Sequence, residues 1–295
     1  MHQYSNSPTK LPRTPNRPRK RRNYHLTMST ILLITCVVAW LIGSHITSGS
    51  AAEPDDISAS TSPAMNVPIP YQTVAAQTFT FTQLAALSND HLLLVNPDYA
   101  VPDYIIGDLV RISGYVNTLN HDILLSKDAL ARLRTMFDSA ENASFTQFRV
   151  TQGFRTHEYQ QNLYNQMAGT GLAALPGHSE HQVGLAVDIS YHGVNIGNSV
   201  QGNWLMNYSY RYGFILRYPQ HKTHITGVPF EPWHYRYVGQ PHAFFMTRND
   251  MVMEEYFDYL RTNRKLEVFF DGVGFTVFYL DCEDEALEIP EGYQF

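Results

Sequence analysis

Apolar residues recur along this chain with two different periods, one typical of helices and the other of strands. From 126 to about 142, apolar side chains such as Leu133 and Met136 fall on one stripe, and Ser126 can cap the helix that this stripe predicts. Helical and strand-like stretches then follow each other without the strict repeat of a parallel sheet, so we predict an α+β fold. The further predicted elements are strands at 148–151, 183–189, 214–218, 233–238, 266–270 and 273–280, and helices at 157–167, 204–212 and about 247–264.

The strand predicted at 183–189 has one face that suits a functional site. Its alternate apolar residues are expected to face the core. On the opposite face, the small residues Gly184 and Ala186 precede Asp188. This pattern leaves room beside the carboxylate for a metal ion and a substrate.

The N-terminal part of the chain differs in composition from the rest. Residues 1–27 form a basic head, and residues 28–50 form an apolar run without Asp, Glu, Lys or Arg. Such a run is long enough for one membrane helix, and the positive head is expected to stay in the cytoplasm. We therefore predict a signal anchor at 28–50, a flexible linker at 51–75 and one exported domain at 76–295. A signal peptide cleaved near residue 51, which would release the domain, is the alternative.

The charge of the predicted exported part excludes one class of partner. All 27 acidic residues of the chain follow the apolar run, whereas seven of the 21 Lys and Arg residues lie in the basic head. An acidic domain is a poor match for nucleic acid, which is bound by basic surfaces. We therefore expect no nucleic-acid partner.

Two short segments hold the residues best suited to catalysis. The segment SEHQVGLAVD contains His181 and Asp188, and the segment EPWH contains Glu231 and His234. Two imidazoles and a carboxylate are a common ligand set for a catalytic zinc ion, whose remaining position is left to water. Pro232 favours a bend that would let Glu231 and His234 converge. The pattern therefore predicts a zinc site with one acid to spare.

Each of these residues also has a structural explanation. A lone histidine is more often a surface or core residue than a ligand, Asp188 could end a strand, and Glu231 precedes a proline as many turn residues do. Their joint presence within about 55 residues favours the metal site. Spacing alone leaves other histidines open as ligands: His157, His178, His192, His221, His224 and His242.

The remaining polar residues suggest how such a site would work. Glu231 is expected to take a proton from a water that attacks a carbonyl and to pass it to the departing amine. Arg155, in a turn before a helix, is the best remaining donor to the developing oxyanion. The aromatic residues Trp233, Tyr235 and Tyr237 are expected to wall the pocket.

Several motifs in the same order make this chain resemble the VanY-type D-alanyl-D-alanine carboxypeptidases of the LAS zinc metallopeptidase superfamily. They are GFRT at 153–156, PGHSEHQVGLAVDI at 176–189, YGFILRYP at 212–219, ITG at 225–227 and EPWHYRYVG at 231–239. The resemblance covers about residues 85–250. Phe154 and Thr156 depart from the more usual Tyr and Ser, and neither belongs to the predicted zinc site.

The resemblance implies a small antiparallel sheet that carries a zinc ion and is backed by helices. It also implies these roles: His181, Asp188 and His234 as Zn²⁺ ligands, Glu231 as general base, Arg155 as the group that polarises the scissile carbonyl, and Ser179 and Gln160 as contacts to the peptide terminus.

The implied activity is removal of the C-terminal D-residue, D-Ala or D-lactate, from peptidoglycan stem peptides. An L,D-carboxypeptidase acting on tetrapeptides is the rival within the family, and the loops at 172–177 and 220–228 are expected to decide between them. Two alternatives are not enzymes. One is a wall-binding module that binds zinc without catalysis, and the other is a structural protein with fortuitous histidines. The expected location is the bacterial cell membrane, with the domain outside.

Overall fold

Five antiparallel strands form the sheet at the centre of the molecule. This computed structural model describes residues 32–38, 76–80, 90–101, 108–280 and 286–290. The five strands are β5 (Phe148–Gln152), β6 (Ala186–Tyr191), β7 (Val194–Asn195), β8 (Phe214–Leu216) and β9 (His234–Tyr237). Their order in the sheet is β5-β6-β9-β8, and β7 pairs with β6. The predicted strands at 148–151, 183–189, 214–218 and 233–238 therefore lie side by side.

Six α-helices accompany this sheet in the described part of the chain. They are α1 (Lys127–Asn142), α2 (His157–Gln166), α3 (Val200–Tyr208), α4 (Thr223–Thr226), α5 (His242–Arg248) and α6 (Met253–Asn263). The predicted cap of α1 is present, because Ser126 Oγ accepts a hydrogen bond of 3.2 Å from the Ala129 backbone N–H. The α1 residues Leu133 and Met136 are fully buried and belong to the same apolar core as Val187 and Tyr235 of the sheet. Burial of this apolar stripe fixes the helix on one face of the sheet.

A second apolar cluster joins the C-terminal helices to a hairpin. Strands β10 (Lys265–Phe270) and β11 (Val273–Leu280) pair across Asp271 and Gly272, which both have positive φ, at 52° and 78°. An Asp-Gly pair suits this two-residue turn, so the predicted hairpin is confirmed. Fully buried Met246, Tyr256 and Val277 belong to its core.

The remaining strands form smaller pairings. Strand β1 (Leu32–Val38) pairs with β11, β2 (Ala76–Thr80) with β12 (Ala286–Pro290), and β3 (Leu109–Arg111) with β4 (Leu124–Ser126), all antiparallel.

The segment predicted as a membrane helix gives a different result over its described residues. Leu32–Val38 forms a strand, which a short apolar run rich in β-branched residues also suits. Among the residues that the structure describes, no helix is both long enough and apolar enough to cross a membrane. The rest of that segment, the basic head and the linker lie outside the described residues. The anchor therefore stays a prediction.

Three predicted boundaries need correction. Helix 204–212 is α3 followed by a 3-10 helix at Ser209–Tyr212, and helix 247–264 is α5 and α6 separated by a turn. Strand 183–189 begins only at Ala186, because Gly184 ends a 3-10 helix (Glu180–Val183) in the left-handed region, with φ of 71°. A Cβ at Gly184 would also lie 2.5 Å from Leu109 Cδ2, so any larger residue would strain this bend and displace the Leu109 side chain.

Candidate active site

The bend at Gly184 and the pairing of β6 with β9 bring three predicted ligands together. His181 lies on the 3-10 helix before the bend, Asp188 lies in β6, and His234 is the first residue of β9. Asp188 and His234 are directly opposite each other in the β6–β9 pairing. One ligand atom from each of the three residues lies within 4.8 Å of the others. We call these three residues the metal triad.

Each ring nitrogen of the two histidines in the metal triad lies close to an oxygen atom. His181 Nε2 and His234 Nδ1 lie 3.3 and 3.1 Å from Asp188 Oδ1, on the inner side of the triad. On the outer side, His181 Nδ1 is 2.8 Å from the Gly153 carbonyl oxygen and His234 Nε2 is 3.3 Å from Glu180 Oε2. Metal-binding histidines commonly donate their second nitrogen to a carbonyl or carboxylate in this way. The donor set and its outer partners therefore fit a divalent metal such as zinc.

Burial and neighbouring charges set the protonation of the metal triad in the absence of metal. Burial would raise the pKa of Asp188, but its contacts with His181 and His234 hold that pKa well below its ordinary value. Burial lowers the pKa of His181 more than Asp188 raises it. Burial also opposes the charged form of His234, yet its hydrogen bonds to Asp188 and Glu180 raise the pKa of His234 to about 9.

Glu231 lies beside the metal triad without being part of it. Its Oε2 is 3.8 Å from His234 Nδ1, and its side chain is 22% exposed. The Glu231 backbone N–H donates to the Tyr218 carbonyl oxygen at 3.1 Å, which fixes the turn before β9. Burial raises the pKa of the Glu231 carboxyl, and Asp188 adds to that effect against His234 and Arg155. A carboxylate with a raised pKa is suited to accepting a proton.

Arg155 contacts a different member of the metal triad, Asp188. It lies between β5 and α2, and its Nη2 is 3.5 Å from Asp188 Oδ2. Its backbone N–H donates to the His181 carbonyl oxygen at 2.9 Å, and its Nη1 donates to Gln160 Oε1 at 3.4 Å. These contacts hold a cation next to the cleft.

The two residues predicted to contact a peptide terminus occupy different environments. Ser179 is buried, and it lines the cleft beside His181. Gln160 is completely buried and is not among the cleft-lining residues; its Nε2 donates to the Ala174 carbonyl oxygen at 2.8 Å. In this structure Gln160 supports Arg155 and the loop that follows α2. The predicted peptide contacts of both residues stay predictions.

The metal triad opens into a cleft of about 470 Å³. Trp233 lines it as predicted, but the prediction for Tyr235 and Tyr237 was wrong, since both belong to the core on the opposite face of β9. Side chains alternate along a strand, so residues one and three positions after His234 point away from it. The principal walls are formed by Arg155, Tyr159, Leu172, Leu175, His178, Ser179, Tyr218, Val228, Glu231 and Trp233.

Comparison with known proteins identifies the family. Residues 122–240 match the family model described as VanY, D-alanyl-D-alanine carboxypeptidase. A D-alanyl-D-alanine carboxypeptidase of Enterococcus faecium is 34% identical over 213 residues, which are 70% of this chain and 70% of that protein. This chain belongs to the VanY family. The putative carboxypeptidase YodJ of Bacillus subtilis is also similar, at 38% identity over 57% of this chain and 67% of its own.

Solved structures of VanY-family and related peptidases share the fold. VanYB in complex with D-alanine-D-alanine is 34% identical, with a TM-score of 0.51 over 58% of this chain and 98% of that chain. The L,D-carboxypeptidase LdcB is 35% identical, with a TM-score of 0.53 over 57% of this chain and 86% of that chain. A VanY structure from the VanB-type cassette contains Zn(II). The predicted family and the predicted α+β peptidase fold are confirmed.

Other histidines that the spacing left open do not belong to the metal triad of this VanY-family domain, although His178 lines the same cleft. His178 Nδ1 contacts the Asn96 carbonyl oxygen at 2.9 Å, His221 pairs with the exposed Asp250, and His242 contacts the buried Tyr256 hydroxyl at 2.7 Å. Within the described part of the chain, the metal triad is the one group of His, Cys, Asp and Glu residues arranged to hold a metal ion.

Sequence reasoning missed the charged residues behind the metal triad. Glu180 is completely buried, and its Oε1 accepts hydrogen bonds of 2.8 Å from both Arg217 and Arg236. Burial would raise the pKa of Glu180, but these two guanidinium groups hold it well below its ordinary value. The sequence contained one sign of this arrangement. Arg217 and Arg236 each lie in a motif of the family resemblance, and neither arginine had an assigned role.

Proposed function

We propose that this VanY-family chain is a zinc-dependent D,D-carboxypeptidase that removes the C-terminal D-residue from peptidoglycan stem peptides or their precursors. The observation that carries the proposal is that the metal triad lines a cleft together with Glu231 and Arg155, each of which lies beside one of its members. Two imidazoles and one carboxylate suit a catalytic zinc ion, and the zinc complex of a VanY relative supports that choice.

The chain's own residues supply the proton transfers and the charge stabilisation. Zinc, when bound, would acidify a water and polarise the scissile carbonyl. A carboxylate oxygen of Glu231 takes the proton of the attacking water and then delivers it to the nitrogen of the departing D-residue. The Arg155 guanidinium donates to the carbonyl oxygen as negative charge develops on it. Asp188, 3.5 Å from Arg155 Nη2, keeps that guanidinium near the reacting group.

The comparisons support two cleavage positions. The VanYB complex contains D-alanine-D-alanine, whereas LdcB, of similar identity and TM-score, is an L,D-carboxypeptidase. Leu172, Leu175 and Val228, from the two loops predicted to shape the choice, line the cleft. We propose D,D cleavage first because the matched family model describes a D-alanyl-D-alanine carboxypeptidase.

Defined peptides separate these two activities. We expect the purified chain to remove one D-Ala from a stem pentapeptide ending in D-Ala-D-Ala and to leave the tetrapeptide product intact, as weighed by mass spectrometry. A pentadepsipeptide ending in D-lactate tests the second leaving group. Cleavage of the tetrapeptide alone would instead establish L,D specificity, and cleavage of neither peptide would contradict the proposed enzyme class.

Zinc affinity should depend on pH through His234. The pKa of His234 is raised to about 9 without metal, so its imidazole carries an extra proton at neutral pH. Because a metal must displace that proton, one proton is released on binding, and apparent affinity should rise about tenfold per pH unit between about pH 7 and 9. Calorimetry in buffers of different ionisation enthalpy measures the release. A pH-independent affinity over this range would contradict the assignment of His234.

The proposed location rests on the N-terminal sequence alone, because the described residues Leu32–Val38 form a strand paired with β11 and not a helix. We propose that residues 28–50 anchor the chain in the bacterial membrane and hold the domain at 76–295 on its outer side, where stem peptides are exposed. Release of the domain by cleavage near residue 51 is the alternative. Fractionation of cells that express the full chain, followed by N-terminal sequencing, distinguishes these locations.

A further inference from the structure

Four charged residues form a buried network behind the metal triad. Glu180, Arg217, Arg236 and Glu254 make up this inner network. Arg217 donates from Nε to Glu180 Oε1 at 2.8 Å, and from Nη1 and Nη2 to the two oxygens of Glu254 at 2.9 and 2.7 Å. The side chains of Glu180, Arg217 and Arg236 are completely buried, and that of Glu254 is 14% exposed. The inner network contains two cations and two anions, so its net charge is zero and each buried charge has an opposite partner.

The inner network is attached to the metal triad through Glu180. Both arginines donate to Oε1 of Glu180, which leaves Oε2 facing His234 Nε2 at 3.3 Å. An ionised carboxylate only accepts hydrogen bonds, so in a metal-loaded site Nε2 must be the protonated nitrogen of His234. His234 Nδ1, on the side of Asp188, is then free of hydrogen and can bind a metal.

We propose that Glu180 is a positioning residue that fixes the tautomer and ring orientation of His234, and that the inner network fixes Glu180. The proposal rests on the proposed role of His234 as a zinc ligand. It gives a role to Arg217 and Arg236, which lie in the motifs YGFILRYP and EPWHYRYVG and are not among the residues that line the cleft.

The network also makes the C-terminal unit part of the support of the metal site. Glu254 lies in the first turn of α6, which packs against the β10–β11 hairpin. It also accepts from Asn96 Nδ2 at 2.9 Å, while Arg236 Nη2 donates to the His91 and Leu93 carbonyl oxygens at 3.0 and 2.8 Å. The two arginines that bind Glu180 are therefore themselves held by contacts from both the N-terminal and the C-terminal segments of the domain.

The variant Glu180→Gln tests the proposal in the full-length protein. Glutamine keeps the size of the side chain but removes the charge, so it holds His234 and the arginines less well. We expect the zinc Kd, measured by competition with a chromophoric chelator, to rise about 10- to 100-fold. Glu255→Gln is the matched control, because Glu255 is the next residue on α6 and pairs with Lys222 outside the network. Its zinc Kd should be unchanged.

A second readout reports on His234 itself rather than on general stability. Long-range ¹H–¹⁵N spectra of the zinc-loaded protein should show a proton on Nε2 of His234 in the wild type and in Glu255→Gln. In Glu180→Gln the Nε2 signal should shift or broaden. An unchanged tautomer together with a wild-type zinc Kd would overturn the proposal.

A third variant covers the case in which Glu180→Gln does not fold. Glu254→Gln changes the partly exposed end of the network and is expected to weaken zinc binding more than Glu255→Gln does. If Glu180→Gln fails to fold and Glu254→Gln matches Glu255→Gln, the proposal is overturned. A wild-type protein that binds no zinc would contradict the proposed function instead, so the two failures are distinguishable.

Discussion

Replacing Glu231 with glutamine should lower turnover of the stem pentapeptide by about 10²- to 10⁴-fold, the usual contribution of a general base. Glutamine has nearly the same shape but cannot take a proton from the attacking water. Glu231 is not one of the metal triad, and its Oε2 lies 3.8 Å from His234 Nδ1, so zinc should stay bound. Release of D-Ala measures turnover, and elemental analysis measures zinc per chain.

The pH dependence of the wild-type enzyme provides an independent check on Glu231. The base must be ionised to act, and burial raises the pKa of its carboxyl above the ordinary value. Activity is therefore present above that pKa and falls as the pH decreases through it, which moves the acidic limb of kcat/KM to higher pH. Glu231→Gln should remove this limb from whatever activity remains.

An exposed glutamate on β10 provides the control for the Glu231 variant. Glu267→Gln alters an exposed glutamate on β10 that pairs with Lys265, far along the chain from the metal triad, and should turn over like the wild type. Glu231→Gln with full zinc content and undiminished turnover would exclude Glu231 as the base. It would also favour the alternative in which the site only binds zinc and wall peptide.

The sequence predicted the components of the site but not how they are held. His181, Asp188, Glu231 and His234 were expected to converge from their motifs, and the structure brings them together. The direct pairing of Asp188 with His234 depends on strand register, which periodicity does not define. Gly184, expected within a strand, instead forms the bend that places His181 over Asp188.

Long-range ion pairs explain most of what the sequence could not provide. Glu180 is adjacent to His181 and looks like an ordinary polar residue, yet its partners Arg217 and Arg236 lie 37 and 56 residues away. Nothing in local periodicity links residues so far apart. Buried charges of this kind become visible only when the strands that carry them are packed.

The wrong prediction for Tyr235 had a different cause and could have been avoided. It was expected to wall the pocket because it stands next to His234 in an aromatic motif. The predicted strand at 233–238 already implied that it points to the opposite face, where the structure places it at 0% exposure. Consistent use of the strand period would have assigned it to the core.

Replacing Asp188 with asparagine should have the largest effect on zinc itself. Asp188 Oδ1 lies 3.3 Å from His181 Nε2 and 3.1 Å from His234 Nδ1, and it provides the one negative charge in the metal triad. Loss of an outer partner typically weakens metal binding about 10- to 100-fold, so loss of this charged ligand should weaken zinc binding by more than about 100-fold. Turnover should be lost with the metal.

The isosteric asparagine separates loss of the ligand from loss of the fold. Its side chain can still occupy the space between the two imidazoles, so we expect the metal-free variant to keep the wild-type circular dichroism spectrum. Asp258→Asn, an exposed change beside Arg261, is the matched control and should retain zinc and activity. If Asp188→Asn instead kept one zinc per chain after dialysis against chelator, the metal would be bound elsewhere. The roles proposed for Glu231 and Arg155, which both lie beside the metal triad, would then be contradicted as well.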